Sequence, residues 1–108
     1  MYYVSTRGAA AQASFDEVLL TGLASDGGLF VPEDWPRFSD ADLRALHGLD
    51  YSALACRVMS PFLGDAMPSS AFEEIVSDAC SIFDHQAVTP LVQLDNDLWL
   101  LELFQISG

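Results

Sequence analysis

The chain has 108 residues, 51% of them hydrophobic, which is enough material for one folded domain with a core. Its 16 acidic residues outweigh 4 basic ones and give a formal net charge of −12, which disfavours nucleic acid and anionic membranes as partners. All 4 basic residues are arginines, so the chain offers no lysine amine for Schiff-base chemistry.

Signals for export, membrane insertion and metal binding are weak. No apolar run approaches the ~20 residues that a membrane-spanning helix needs. The first residues lack the basic and apolar segments of a secretory signal. Cys56 and Cys80 each lie among apolar neighbours in helical patterns, which favours buried free thiols over a disulfide or a metal pair. We therefore expect a cytoplasmic protein without a metal site.

The first predicted element is a short strand over residues 2–5, because Tyr-Tyr-Val-Ser is rich in strand-forming residues. Ser5, Thr6, Arg7 and Gly8 follow, combining two hydroxyls, a guanidinium and a glycine. Such a group can hold a phosphate, because arginine offers a bidentate fork and glycine lets the backbone approach closely. A polar turn leaving the strand is the alternative interpretation of the same residues.

A first helix is predicted to begin at Ser14, because Ser14 and Glu17 have capping-box spacing. It should extend to about Ser25. Its apolar residues recur at helical spacing, so we expect them to form one stripe buried against a sheet. The members of this stripe are Phe15, Val18, Leu19, Gly22 and Leu23.

The turn between this helix and a second strand is predicted at residues 26–32, Asp-Gly-Gly-Leu-Phe-Val-Pro. Gly27 and Gly28 can adopt positive φ without a Cβ clash, which favours a helix C-cap over a ligand-binding loop. Residues 29–31 are then predicted to form a buried strand. Pro32 should end it, because proline has no N–H to donate to a sheet.

Three further helices are predicted from their start signals. Ser39 and Asp50 are suited to capping the second and third helices. The fourth helix should open at residues 68–70, where Ser70 and Glu73 have capping-box spacing.

The C-terminal region has two apolar runs around a polar turn, and this pattern predicts two strands, over residues 88–94 and 98–104. The second strand is apolar on both faces, which is typical of a strand covered on both sides. Asp84-His85, just before this region, is interpreted as a surface turn, since no nucleophile accompanies the pair. The whole pattern predicts an α+β domain: about four helices packed on one small β-sheet built from the N-terminal strand, the strand after Gly28 and the two C-terminal strands.

Several of these segments, in this order and rough spacing, resemble the beginning of threonine synthase: residues 5–8, 14–15, 22–32, 88–92 and 101–104. The resemblance implies that residues 1–108 form the N-terminal domain of a larger pyridoxal-phosphate-dependent lyase of threonine biosynthesis, with the tryptophan-synthase-like fold. Such an enzyme converts O-phosphohomoserine and water to threonine and phosphate. Ser5, Thr6 and Arg7 become the candidate contacts for the substrate's phosphate.

In that family, Leu-Glu-Leu-Phe continues into His-Gly-Pro-Thr and then into a Phe-Lys-Asp that supplies the cofactor lysine. Here the match stops at Phe104, and residues 105–108 differ. The resemblance therefore implies that the natural chain continues, that its catalytic domains are the partner of this one, and that they carry the pyridoxal phosphate. This segment alone is expected to bind no cofactor, to contain no catalytic residue and to be inactive. The alternative is a stand-alone acidic binding module, derived from that domain but without catalysis.

Overall fold

The computed structural model describes residues 1–83 and 86–103. Within these ranges it contains four helices and two small antiparallel sheets, which confirms the predicted α+β class. The elements in chain order are β1 (Tyr2–Ser5), β2 (Ala13–Ser14), α1 (Phe15–Thr21), β3 (Phe30–Pro32), α2 (Asp40–Ala45), α3 (Tyr51–Leu63), α4 (Ser69–Cys80), β4 (Leu91–Asp95) and β5 (Leu98–Leu101).

The N-terminal sheet has the strand order β2-β1-β3. Tyr3 lies at its centre, opposite Ala13 on one side and Pro32 on the other. The sequence did not predict β2, because its two residues carry no strand pattern of their own. Strand β3 ends at Pro32, as predicted, but includes it as the last residue; an edge strand permits this because proline's missing N–H breaks no ladder there. Leu29 precedes the strand and is exposed, contrary to the prediction.

The two C-terminal strands form a separate hairpin, so the prediction of one sheet containing all the strands is wrong. Every residue of β4 and β5 is exposed, and the hairpin makes no extensive contact with any other described element. The predicted cover on both faces of the second strand is therefore absent from the described residues. Asp84-His85 and residues 104–108 lie outside those residues.

The predicted N-caps Ser14, Ser39 and Asp50 are confirmed. The Ser14 N–H donates to Glu17 Oε2 at 2.8 Å, and Asp50 Oδ1 accepts from the Ala53 N–H at 2.8 Å. These caps join residues only three positions apart, so local spacing is sufficient to predict them.

Two predictions about helix ends are wrong. Helix α1 ends at Thr21, because Gly22 adopts φ +77° and caps it, so Gly27 and Gly28 are not its C-cap. Helix α4 is capped by Pro68, whose carbonyl accepts from the Phe72 N–H, which places Ser70 inside the helix and removes its predicted capping role.

The core lies between α3 and α4, where Leu63, Phe72 and Val76 are buried together. Cys56 and Cys80 pack against this cluster as free, half-buried thiols. Burial raises the pKa of the Cys56 thiol, which keeps it protonated at neutral pH. None of the described helices combines the length and the apolar character needed to cross a membrane.

Candidate functional site

Two segments singled out in the sequence, the one that follows Ser5 and the one that contains Gly27 and Gly28, meet at one end of the N-terminal sheet. Strands β1 and β3 are antiparallel, with Ser5 opposite Phe30, so the residues that follow Ser5 lie beside those that precede Phe30. The Thr6 N–H extends this pairing by donating to the Leu29 carbonyl at 2.8 Å. Residues 5–10 and 26–29 therefore form one unit, which we call the Asp26 turn.

The Asp26 carboxylate is the centre of this turn and accepts four hydrogen bonds. Its Oδ1 accepts from the Ser5 hydroxyl at 2.7 Å and from the Gly28 N–H at 2.9 Å. Its Oδ2 accepts from the N–H groups of Ala9 and Ala10 at 2.9 and 3.0 Å. The bond from the Ser5 hydroxyl, followed by the bond from the Gly28 N–H, lowers the pKa of Asp26 from 3.8 to about 2. Asp26 is therefore ionised at neutral pH, with both oxygens engaged.

The structure brings together all three sequence-predicted site residues, Ser5, Thr6 and Arg7, but the two hydroxyls make hydrogen bonds within the turn. Ser5 is only 6% exposed; its Oγ donates to Asp26 and accepts from the Arg7 N–H at 3.1 Å. Thr6 Oγ1 accepts from the Leu29 N–H at 3.0 Å, which leaves the Thr6 O–H able to donate elsewhere. The Ser5 proton, by contrast, is already committed to Asp26.

The Arg7 side chain is exposed and held in place by the same turn. Its Nη1 donates to the backbone carbonyl of Asp26 at 2.9 Å. The guanidinium lies over Gly27, and a Cβ at that position would come within 2.8 Å of Nη1. Among the described residues, Arg7 is the only arginine whose guanidinium is fixed by a hydrogen bond. Since this acceptor is a neutral carbonyl, the bond leaves the positive charge available to an anion.

Both Gly27 and Gly28 are required by close approach, and Gly27 is required by its φ as well. Gly27 adopts φ +78°, whereas Gly28 is buried without positive φ. A Cβ on Gly28 would overlap the Ser5 hydroxyl and lie 3.1 Å from the Arg7 backbone nitrogen. Sequence reasoning missed Asp26 as a functional residue. The available signal was its position two residues before Gly28, where an aspartate can accept from the backbone N–H two residues on.

This arrangement suits anion binding better than acid–base catalysis. The Asp26 carboxylate has no free oxygen with which to accept a substrate proton, and its low pKa makes it a weak base. No group of three or more His, Cys, Asp or Glu side chains within residues 1–83 and 86–103 is placed to hold a metal ion. The Arg7 guanidinium and the Thr6 hydroxyl are the groups of the turn that remain able to contact a ligand.

Comparison with known proteins identifies the class of domain to which this fold belongs: the family model described as "Threonine synthase N terminus" matches residues 2–80. The structure superimposes on the crystal structure of pyridoxal-phosphate-bound threonine synthase from Brucella melitensis with a TM-score of 0.93 and 46% identity. That match covers 99% of this chain and 23% of the Brucella chain. The chain belongs to the threonine synthase family, as the sequence resemblance indicated.

Curated relatives give the same result. The threonine synthase of Pseudomonas aeruginosa is 48% identical over 104 residues, covering 96% of this chain and 22% of the relative. Mouse threonine synthase-like 2 is 37% identical over 105 residues, again 96% of this chain and 22% of the relative. The chain thus spans about a fifth of the length of these relatives.

Proposed function

We propose that this chain is the N-terminal domain of a threonine synthase that converts O-phosphohomoserine and water to threonine and phosphate. The observation that supports this most strongly is the agreement of fold and sequence with the Brucella enzyme, at a TM-score of 0.93 and 46% identity over 99% of the chain. Fold alone would be weak support for an activity, since one fold serves many functions. Here the fold agrees together with several sequence motifs.

Pyridoxal phosphate belongs to the catalytic part of the enzyme in this proposal. The cofactor acts through a Schiff base with a lysine amine, and these 108 residues contain no lysine. The residues present therefore do not fit covalent attachment of the cofactor, and the attachment site lies outside this segment. We accordingly predict that the segment by itself is inactive.

The catalytic domains of the same polypeptide are the proposed partner, and the β4–β5 hairpin supports this. A two-stranded hairpin is at best marginally stable in water on its own. Both strands are exposed along their whole length, and Trp99 is 55% and Leu101 48% exposed. In the relatives, roughly four-fifths of the chain lies outside the matched segment, which provides material to cover such an element.

The substrate contact is proposed for the free side of the Asp26 turn. The Arg7 guanidinium would contact the phosphate of O-phosphohomoserine, with Thr6 as a hydroxyl donor and Ser5 holding the backbone of the turn. A domain with a net charge of −12 repels a phosphate unless a local cation compensates. Arg7 is suited to this role because its guanidinium is already oriented.

The activity is tested with the full-length protein loaded with pyridoxal phosphate. We expect phosphate release from O-phosphohomoserine with formation of threonine, and no release by the isolated segment. Absence of threonine formation by the full-length protein contradicts the proposed function. A borohydride-reducible adduct of pyridoxal phosphate on the segment contradicts the assignment of the cofactor to the rest of the chain.

The Arg7 contact is tested with Arg7→Ala in the full-length enzyme. Loss of a charged hydrogen bond to the substrate should raise KM about tenfold or more, with kcat retained. Gly27→Ala should act in the same direction, because its Cβ displaces the guanidinium. Gly22→Ala is the matched control: Gly22 has φ +77°, close to the +78° of Gly27, but a Cβ there meets no atom within 4 Å. Unchanged kinetics in Arg7→Ala contradicts the contact, and lowered stability with normal kinetics makes Arg7 structural.

A further inference from the structure

Arg7 is held by a neutral group although the domain is strongly acidic. The chain has 16 acidic residues and only 4 arginines, so an exposed guanidinium has many carboxylates with which it could pair. Within residues 1–83 and 86–103, its side chain nevertheless makes no ion pair, and Nη1 donates instead to the backbone carbonyl of Asp26 at 2.9 Å. An arginine held in this way keeps its charge for an anion, so the cause of the arrangement bears on the proposed phosphate contact.

The carboxylate of Asp26 lies in the same turn but has no acceptor position left for the guanidinium. An ionised carboxylate offers about four such positions. Four neutral donors occupy them: the Ser5 hydroxyl and the Gly28 N–H on Oδ1, and the N–H groups of Ala9 and Ala10 on Oδ2. These bonds, with that from the Ser5 hydroxyl contributing most, hold the pKa of Asp26 at about 2, so the carboxylate stays charged at neutral pH. The backbone carbonyl is the acceptor that the same residue still offers.

Asp26 also fixes where the guanidinium lies. Its carboxylate accepts from both N–H groups of residues 9–10, which holds the chain just after Arg7. The backbone of Arg7 is tied to the same carboxylate through Ser5, whose Oγ accepts from the Arg7 N–H and donates to Asp26. The guanidinium can then reach the Asp26 carbonyl and lie over Gly27. Removing the carboxylate should therefore release the side chain, even though the carboxylate and the guanidinium share no hydrogen bond.

We propose that Asp26 is a positioning residue for the phosphate contact of Arg7. Its carboxylate holds the turn closed, and its backbone carbonyl directs a guanidinium whose charge remains free for the phosphate. A preoriented arginine loses little conformational freedom when a ligand binds, so loss of this orientation weakens binding rather than the chemical step. The inference rests on the proposed function, because it requires that Arg7 contacts O-phosphohomoserine.

The first test is a double-variant cycle in the full-length enzyme loaded with pyridoxal phosphate. Asp26→Asn replaces one carboxylate oxygen with an NH2 group, which cannot accept the N–H bonds on that side of the turn. We expect KM to rise about threefold or more with kcat retained, and Arg7→Ala to have the same KM with and without Asp26→Asn. Asp42→Asn is the matched control, since Asp42 also accepts from a serine hydroxyl and an N–H, both of Ser39, but lies on α2. An unchanged KM in Asp26→Asn, a KM effect that is independent of Arg7, or an equal effect in Asp42→Asn overturns the proposal.

Chemical modification measures the position of the guanidinium without turnover. Phenylglyoxal condenses with both terminal nitrogens of a guanidinium, so the hydrogen bond on Nη1 should slow its reaction with Arg7. Peptide mapping by mass spectrometry gives the rate at this residue in the full-length protein. We expect Asp26→Asn to raise that rate about threefold or more, and Asp42→Asn to leave it unchanged. Equal rates in Asp26→Asn and the parent overturn the proposal.

Ser5→Ala keeps the proposal testable if Asp26→Asn does not fold. It removes one of the four donors to the carboxylate and should act in the same direction in both assays, with equal modification rates in Ser5→Ala and the parent again overturning the proposal. An inactive parent, or an unchanged KM in Arg7→Ala, counts against the proposed function alone, because the modification rate reports the position of the guanidinium whatever the enzyme binds.

Discussion

Gly28→Ala tests whether the Asp26 turn depends on close packing. Gly28 does not adopt positive φ, so alanine is compatible with its backbone. The added Cβ would overlap the Ser5 hydroxyl, lie 3.0 Å from Asp26 Oδ1 and approach the Arg7 backbone nitrogen to 3.1 Å. The backbone contact cannot be relieved by rotating a side chain, so the turn must open.

Overpacking of this kind costs about 1–3 kcal/mol. A local cost of about 2 kcal/mol corresponds to roughly 30-fold faster amide exchange wherever the turn opens without the rest of the domain. Thr6 and Ala10 are suitable reporters, because their N–H groups donate across the turn to Leu29 and Asp26. Hydrogen exchange read by mass spectrometry over residues 5–10 gives the measurement.

Gly48→Ala is the control for a general effect of adding a methyl group. Gly48 has φ +82°, and a Cβ there would meet no atom within 4 Å, so this variant adds backbone strain of about 1–2 kcal/mol without a collision. We expect it to speed exchange around residue 48 and not in residues 5–10. Unchanged protection of residues 5–10 in Gly28→Ala would refute the role assigned to Gly28.

Two further predictions concern single side chains. The folded pKa of Asp26, about 2, lies below its ordinary 3.8, so the carboxylate stabilises the fold above about pH 4 and this contribution is lost as the pH falls towards 2. Asp26→Asn should therefore be less stable than the parent at neutral pH, and the difference in unfolding free energy between the two should shrink between about pH 4 and 2. Urea unfolding at several pH values measures this difference, and a difference that stays constant with pH contradicts the prediction. Tyr3→Phe removes the hydroxyl that donates to the Phe62 carbonyl at 2.6 Å, and this should lower the free energy of unfolding by about 1 kcal/mol in the same assay. An unchanged free energy of unfolding contradicts a stabilising link between β1 and α3.

The parts of the fold that the sequence predicts correctly are those fixed by near neighbours. Ser39 and Asp42 form their capping box across three residues, and the β4–β5 hairpin follows from two apolar runs around a short polar turn. Helix ends are harder to predict. Gly22 and Gly27 both adopt positive φ, at +77° and +78°, so composition alone does not identify the one that caps α1. The first of the two does so.

Contacts between residues far apart in the chain could not be predicted from sequence patterns. Ser5 and Asp26 are 21 positions apart, and their hydrogen bond exists only because β1 pairs with β3. The same limit explains the error about the sheets: strand patterns do not specify which strands pair, and the hairpin has no partner among the described residues. The prediction that the apolar stripe of α1 is buried against the sheet is wrong for Leu19, which is exposed. Helical spacing shows that a helix is amphipathic, but it does not show whether another element of the domain packs against each residue of the stripe.

The residues of the Asp26 turn that carry the family resemblance fall into two groups: those that stabilise the turn and one that could contact a ligand. Ser5, Asp26 and Gly28 satisfy one another: hydroxyl and amide donors saturate the carboxylate, and the missing Cβ leaves room for the hydroxyl. These residues are explained by the turn, whatever the protein binds. Arg7 is different, because its side chain is fixed by a neutral carbonyl and its charge is not used by the turn. We therefore propose Arg7, rather than Ser5, Asp26 or Gly28, as the main ligand contact in this part of the domain, and the comparison of Gly27→Ala with Gly22→Ala tests that contribution.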